Sequence, residues 1–206
     1  MGITEDQIRR AAEEHSLERI CRTKRRPSAV LIPLIPTAAG YDVLFEVRSH
    51  KIIQGGEICF PGGAIEPSEE PRDTAVREAC EELLVDPSQI EVLSPMHVIP
   101  GPGGADVTSY AGFLYDYKNT FSGDEVDHIL RIPLDTLISE SPVTSEGNMA
   151  FEFPEDFPFE FIPGGRNYPW AKVPRTYYFY RTAADGAIWG ITGELLYYFL
   201  KTLKES

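Results

Sequence analysis

The chain has 206 residues, of which 42% are hydrophobic and 25% charged, and its formal net charge at pH 7 is −13. This composition suits one domain with a full core plus terminal additions. The strong negative charge argues against nonspecific nucleic-acid binding, but it leaves room for a small anionic ligand. There is no apolar run long enough for a membrane span and no secretory-signal pattern at the N-terminus. We therefore expect a cytoplasmic protein with no membrane partner.

The N-terminal segment predicts an amphipathic helix from about Thr4 to Cys21, with Thr4 as a suitable N-cap. Lys24-Arg25-Arg26-Pro27 then forms a connector, since short basic runs are typical of solvated linkers. We predict a helical extension and linker over residues 1–27 and one folded domain over residues 28–206.

Two strands are predicted next, Ala29 to Leu34 and Val43 to Ser49, joined by a turn at residues 38–40. They lead to Phe60-Pro61-Gly62-Gly63. Glycine lets the backbone approach a metal ion or a phosphate closely, where a side chain would obstruct it. The sequence therefore predicts a hairpin followed by a glycine turn beside a ligand.

A helix is predicted from about Pro71 to Val85, with its apolar residues on half of the helical wheel. Glu78, Glu81 and Glu82 lie on the other half at positions i, i+3 and i+4, so we expect their carboxylates to converge. Acidic residues on a helix are often only its solvated face. The preceding glycine turn instead favours a hard divalent cation, Mg²⁺ or Mn²⁺, which prefers oxygen ligands and leaves room for phosphates.

Later segments predict strands at Ile90 to Ile99 and at Thr108 to Tyr117, separated by a Gly- and Pro-rich loop that we expect to border the ligand. An aromatic-rich insertion over about residues 142–174 has two interpretations. Its rings could stack on a nucleobase or cover an acyl arm, or they could fix a long loop or a homodimer contact. A closing helix is predicted from about Thr192 to Leu203, with Thr192 as its N-cap.

The acidic helix and the glycine turn together resemble a known sequence motif. The run Gly63, five residues, Glu69, seven residues, Arg77-Glu78-Ala79, one residue and Glu81-Glu82 is similar to the Nudix box. The chain has Leu84 where that family usually has glycine. Such a glycine is expected to end the helix, and we expect Asp86-Pro87 to end it one or two residues later here.

The resemblance implies an α/β fold, a Nudix-type α/β/α sandwich with a mixed β-sheet. It implies hydrolysis of a nucleoside diphosphate linked to another moiety, by water attacking phosphorus with the help of Mg²⁺ or Mn²⁺. The implied metal ligands are Glu78, Glu81 and Glu82, with the Gly63 carbonyl as an additional one. Glu78 is alternatively the general base. Two further residues would hold the carboxylates in place, Glu69 and Arg77.

Nudix relatives often present a further acidic residue to the metal or the water at the place of Glu125, which is otherwise an ordinary loop carboxylate. Asp106 is a weaker candidate of the same kind.

Two further segments resemble the coenzyme A pyrophosphatase branch of this family, Arg48-Ser49 with Gly56 to Gly63, and Ile188 to Gly193. Arg48 and Lys51 are the candidates for binding substrate phosphate. Lys51 would have to substitute for the branch's second basic residue, because Ile52 occupies that position, and lysine offers a point charge rather than a planar fork.

The branch implies cleavage of coenzyme A or acyl-coenzyme A into phosphopantetheine and adenosine 3′,5′-bisphosphate. Hydrolysis of ADP-ribose, nucleotide sugars or nucleoside triphosphates stays open, as does a catalytically silent nucleotide-binding regulator. A homodimer is also possible.

Overall fold

The computed structural model describes residues 26–101, 104–183 and 186–205. The helix predicted from about Thr4 to Cys21 lies outside the described residues. The strands are β1 Ser28–Thr37, β2 Gly40–Arg48, β3 Ile58–Cys59, β4 Gly62–Ala64, β5 Ile90–Pro100, β6 Asp106–Leu114, β7 Val126–Pro133, β8 Val143–Met149, β9 Val173–Arg181 and β10 Ala187–Ile188. The α-helices are α1 Pro71–Leu83, α2 Leu134–Ser139 and α3 Gly190–Glu205. In this part of the chain, no helix is both long and apolar enough to cross a membrane.

Seven strands form the main sheet, in the order β3-β2-β1-β6-β5, with β4 paired to β1 and β7 paired to β2. Strands β1 and β6 run parallel, whereas the other pairings are antiparallel. A second, antiparallel sheet has the order β10-β9-β8. The predicted α/β fold with a mixed sheet is confirmed.

Helices pack on both faces of the main sheet. Successive residues of a strand point to opposite faces, so β1 contributes to a core on each side. On one face, Ala29 and Leu31 of β1 pack with Ala75 and Ala79 of α1. The other face carries a larger core, built from residues of β1 and β2 together with α3: Ile32, Leu34, Val43, Phe45, Leu195, Leu196 and Phe199. The small alanines let α1 approach the sheet closely, which sets the height of its acidic residues above the strands.

Helix α1 ends in a way that the sequence did not predict. Leu84 adopts the left-handed conformation, with φ 52° and ψ 51°, and its N–H donates to the Cys80 carbonyl. The expected end at Asp86-Pro87 is therefore wrong, since Leu84 itself takes the conformation that glycine usually supplies. The Asp86 side chain instead caps a short 3₁₀ turn over Pro87–Gln89, accepting from the Ser88 N–H at 2.9 Å.

One other expectation needs correction. Helix α3 begins at Gly190, so Thr192 lies inside the helix rather than at its N-cap.

The predicted insertion begins with strand β8, and its aromatic rings pack on one another. The Phe153 ring lies 4.4 Å from Phe157 and 4.7 Å from Trp170, between centroids. This packing supports the interpretation in which the aromatic residues fix a long loop.

We predict that Leu84→Gly stabilises the protein by about 0.5–1 kcal/mol. The left-handed conformation costs a non-glycine residue about 1–2 kcal/mol. Glycine avoids this cost but loses about 0.5–1 kcal/mol more in conformational entropy on folding, which offsets part of the gain. The leucine side chain is 59% exposed and contributes little burial. Urea unfolding measures the effect. Leu84→Ala is the matched control, because it keeps the penalty and should not stabilise; a less stable glycine variant would contradict the prediction.

Candidate active site

The acidic face of α1 lies directly over the glycine turn. Glu82 is 4% exposed, and its Oε2 accepts a hydrogen bond from the Gly62 N–H at 2.8 Å. Strand β4 holds this turn against β1, where Ala29 pairs with Gly63 and Val30 with Gly62. A Cβ atom on Gly63 would collide with the carboxyl group of Glu78. The missing side chain at Gly63 therefore leaves the space that Glu78 occupies.

A further carboxylate, Glu46, lies beneath the helix on β2. It is 1% exposed, and its Oε1 accepts from the Cys59 thiol at 3.3 Å. Its Oε2 is buried and finds no hydrogen-bond partner among the described residues. Glu46 is not among the predicted site residues, although the sequence contains one signal for it. It is the only charged residue in the apolar run from Val43 to Val47.

These carboxyl groups strongly disfavour each other's charged forms. Burial, followed by the negative charges nearby, raises the pKa values of Glu46 and Glu82 well above their usual range. The pKa of Glu78 is raised as well, chiefly by burial. The carboxylate of Glu125 acts in the same direction on all three residues. The structure therefore brings Glu46, Glu78, Glu82 and Glu125 into one acidic site, which we call the acid cluster.

Arg77 organises the outer side of the acid cluster. Its guanidinium makes a two-point contact with Glu69, at 3.0 and 3.2 Å, and lies 2.9 Å from Glu78 Oε1. It also donates to Glu81 at 3.3 Å. Thr74 donates to Glu69 at 2.6 Å, and these hydrogen bonds, from Arg77 first, lower the Glu69 pKa to about 2. Arg77 thus holds the carboxyl groups of Glu78 and Glu81, and Glu69 in turn holds Arg77.

The acid cluster fits a hard divalent cation in its chemistry but is not arranged as a finished metal site. Carboxylate oxygens are the ligands that Mg²⁺ and Mn²⁺ prefer, and the buried Oε2 of Glu46 has no hydrogen-bond partner in the described part of the chain. However, in residues 26–101, 104–183 and 186–205 no three His, Cys, Asp or Glu side chains are grouped so that they could hold a metal ion. Glu81, whose side chain is largely exposed, contacts Arg77.

The turn that carries Glu125 is tied to both α1 and β2. The Ser122 N–H donates to the Glu82 carbonyl, and the Ser49 N–H donates to the Glu125 carbonyl, each at 2.8 Å. At the end of α1, the Thr120 hydroxyl donates to the Leu83 carbonyl at 2.7 Å. These backbone contacts explain how a residue distant in sequence from the helix comes to lie beside Glu78 and Glu82.

The two basic candidates border the same site. The Arg48 Nε donates to the Ile53 carbonyl at 3.2 Å, and the arginine's charge partly offsets the raised pKa of Glu46. The Lys51 ammonium contacts the Gly123 carbonyl at 3.0 Å and the Asp124 carboxylate at 3.2 Å. The charge of Arg48 therefore acts on Glu46 of the acid cluster, whereas Lys51 contacts the neighbouring turn. Asp106 begins β6 opposite Pro100.

Comparison with known proteins supplies an independent line of evidence. The family model of the NUDIX domain matches residues 24–144. Nudix hydrolase 3 of Caenorhabditis elegans is 31% identical over 183 residues, covering 85% of this chain and 72% of that protein. The peroxisomal coenzyme A diphosphatase of Mus musculus is 38% identical over 112 residues, covering 52% of this chain and 47% of that protein. The chain thus spans about half the length of the mouse relative.

Among solved structures, a Nudix hydrolase from M. smegmatis is 26% identical, covering 54% of this chain and 73% of that chain with a TM-score of 0.47. An Ap4A hydrolase of C. elegans is 18% identical, covering 54% of this chain and 83% of that chain with a TM-score of 0.47.

We predict that Gly63→Ala weakens Mn²⁺ binding by about 10-fold or more, the scale seen when groups that orient metal ligands are disturbed. The added methyl group would displace the Glu78 carboxyl group while leaving the backbone unstrained. Isothermal titration calorimetry measures the affinity. Gly123→Ala is the matched control, since a Cβ atom there meets nothing within 4 Å in the described part of the chain. Equal Mn²⁺ affinity in the two variants would contradict the prediction.

Proposed function

This chain belongs to the Nudix hydrolase family, and we propose that it is a divalent-metal-dependent pyrophosphohydrolase that cleaves coenzyme A or its acyl derivatives. The products would be phosphopantetheine and adenosine 3′,5′-bisphosphate. The observation that carries the proposed chemistry is the acid cluster, in which buried carboxylates lie against a glycine turn. The choice of substrate rests on the similarity to the mouse coenzyme A diphosphatase and on Arg48.

A diphosphate is anionic and repels nucleophiles, so its hydrolysis needs positive charge where charge develops. Mg²⁺ or Mn²⁺, when bound, neutralises the diphosphate and lowers the pKa of a water molecule. Glu78, Glu81 and Glu82 would hold the ion, together with the Gly63 carbonyl. Arg77 would keep Glu78 and Glu81 in place through the contacts already described. Glu46, whose Oε2 has no hydrogen-bond partner among the described residues, offers a further carboxyl oxygen beneath the same position.

The proton of the attacking water needs an acceptor. Glu125 and Glu78 are the two candidates, because both carboxylates lie in the acid cluster and each raises the pKa of Glu46 and Glu82. Glu125 lies on a turn held by the backbone of α1 and β2, which would fix it relative to a water bound above the glycine turn.

Arg48 is the proposed contact for a substrate phosphate. Its positive charge acts on Glu46 of the acid cluster, and a guanidinium can bind two phosphate oxygens at once. Lys51 would add a point charge from the adjoining loop. We propose that the enzyme works in the cytoplasm, whereas the mouse relative is peroxisomal.

We predict that Glu82→Gln lowers kcat by about 100- to 1000-fold, the scale of losing one group that stabilises charge in the transition state. The fold should survive, because the amide oxygen can still accept from the Gly62 N–H. Release of phosphopantetheine, followed by mass spectrometry, measures the rate. Glu70→Gln is the control, an exposed carboxylate at the start of the same helix. Near-normal activity of Glu82→Gln would remove this residue from the proposed site.

A panel of substrates tests the identity of the substrate separately. Coenzyme A should be cleaved in preference to ADP-ribose, a nucleotide sugar and nucleoside triphosphates. Preference for one of the others would keep the chemistry and overturn the proposed substrate. Tight binding of a nucleotide with no turnover would instead indicate a silent regulator.

We predict that Arg48→Ala mainly raises KM for coenzyme A and changes kcat little, because a contact made equally in the ground and transition states affects binding alone. Arg48→Lys should recover only part of the affinity, since lysine keeps the charge and loses the planar fork. Steady-state kinetics over a range of coenzyme A concentrations distinguishes the two parameters. A KM unchanged from the wild type would assign Arg48 to the loop contact with Ile53 alone.

A further inference from the structure

A shallow cavity of about 370 Å³ lies beside the edge of the main sheet, where β3 approaches β10. It is lined by Gly56, Glu57, Phe179, Ala187 and Trp189. Its size falls in the range of small-ligand sites. None of these residues has a role in the proposed hydrolysis.

Two aromatic rings form one wall of this cavity. The Phe179 and Trp189 rings are 6.2 Å apart between centroids and only 3° from parallel. The strand register explains the alignment, because Ile188 pairs with Tyr180 and the next residue, Trp189, comes opposite Phe179. Ile188 and Tyr180 are buried in the core, so their neighbours point the other way. Trp189 is consequently 42% exposed.

Residues of the cavity and of the acid cluster are linked through one strand. Glu57 continues the pairing of β3, since the Arg48 N–H donates to the Glu57 carbonyl at 2.9 Å. It precedes Cys59 by two residues, so both side chains belong to the same face of the strand, about 7 Å apart. Cys59 contacts Glu46 of the acid cluster.

We propose that this cavity binds the adenine base of the substrate. The parallel Phe179 and Trp189 rings offer aromatic faces on which a base can stack, and stacking on aromatic side chains is a general mode of base binding. The Glu57 carboxylate lies beside that surface and accepts hydrogen bonds, which suits the exocyclic amine of adenine. A hydrocarbon acyl chain, which has no hydrogen-bond donor, would leave that carboxylate without a partner. The proposal rests on the proposed function, because it takes the diphosphate to lie at the acid cluster.

Trp189 provides a direct readout of binding, since the chain has only two tryptophans. In a Trp170→Phe protein, Trp189 is the remaining fluorophore. We expect adenosine 3′,5′-bisphosphate, added with Mg²⁺, to quench its fluorescence, and phosphopantetheine, which has no base, to leave it unchanged. Equal quenching by the two compounds, or no quenching by the adenosine compound, would overturn the proposal.

The variants test the same surface independently of fluorescence. Trp189→Ala should weaken binding of adenosine 3′,5′-bisphosphate roughly 5- to 150-fold, the range expected for loss of one base stack, whereas Trp189→Phe should retain most of the affinity. Glu57→Gln should weaken binding of the adenine compound and leave that of uridine diphosphate unchanged. Phe161→Ala is the control, an exposed aromatic residue in the insertion, and should bind normally.

The outcomes separate this inference from the proposed function. Turnover of coenzyme A with the same KM in Trp189→Ala as in the wild type would overturn the base site alone. Quenching of Trp189 by adenosine 3′,5′-bisphosphate in a protein that does not cleave coenzyme A would support the base site and overturn the proposed substrate.

Discussion

The burial of several carboxylates in one place is the constraint around which this molecule is arranged. Glu46 and Glu82 are almost fully buried, and Glu78 and Glu125 add to the negative charge around them. Burying like charges together is costly unless something compensates, and proteins accept such a cost chiefly where it serves function. Arg77 and Arg48 provide part of the compensation at the rim. A divalent cation is the natural counterpart for the rest.

The fold supplies the rigid frame that this charge requires. Strand β1 holds the glycine turn on one side of the site, and the alanines of α1 bring its acidic residues down onto that turn. Backbone hydrogen bonds from Ser122 and Ser49 then fix the turn with Glu125 against the same helix and strand. Main-chain contacts thus position the elements that carry the acid cluster.

Local sequence predicted the parts of this site that depend on short-range geometry. The helical spacing of Glu78 and Glu82, the glycine turn and the place of Glu69 and Arg77 follow from residues within about twenty positions of one another. Glu46 was missed because it lies outside the spacing of the motif, on a strand whose contact with Cys59 forms only when the strands pair. The helix end at Leu84 was missed for a different reason. Sequence propensity would assign the conformation of Leu84 to glycine. In the fold, the Thr120 hydroxyl donates to the carbonyl of the neighbouring Leu83.

The most direct test of the proposed metal site is the melting temperature of the protein with and without saturating Mn²⁺, compared between the wild type and Glu82→Gln. A cation that binds only the folded acid cluster stabilises it in proportion to its affinity. We predict a clear rise in the melting temperature of the wild type and a much smaller rise in the variant. An unchanged wild-type melting temperature, or an equal rise in both proteins, would contradict a cation held by these buried carboxylates.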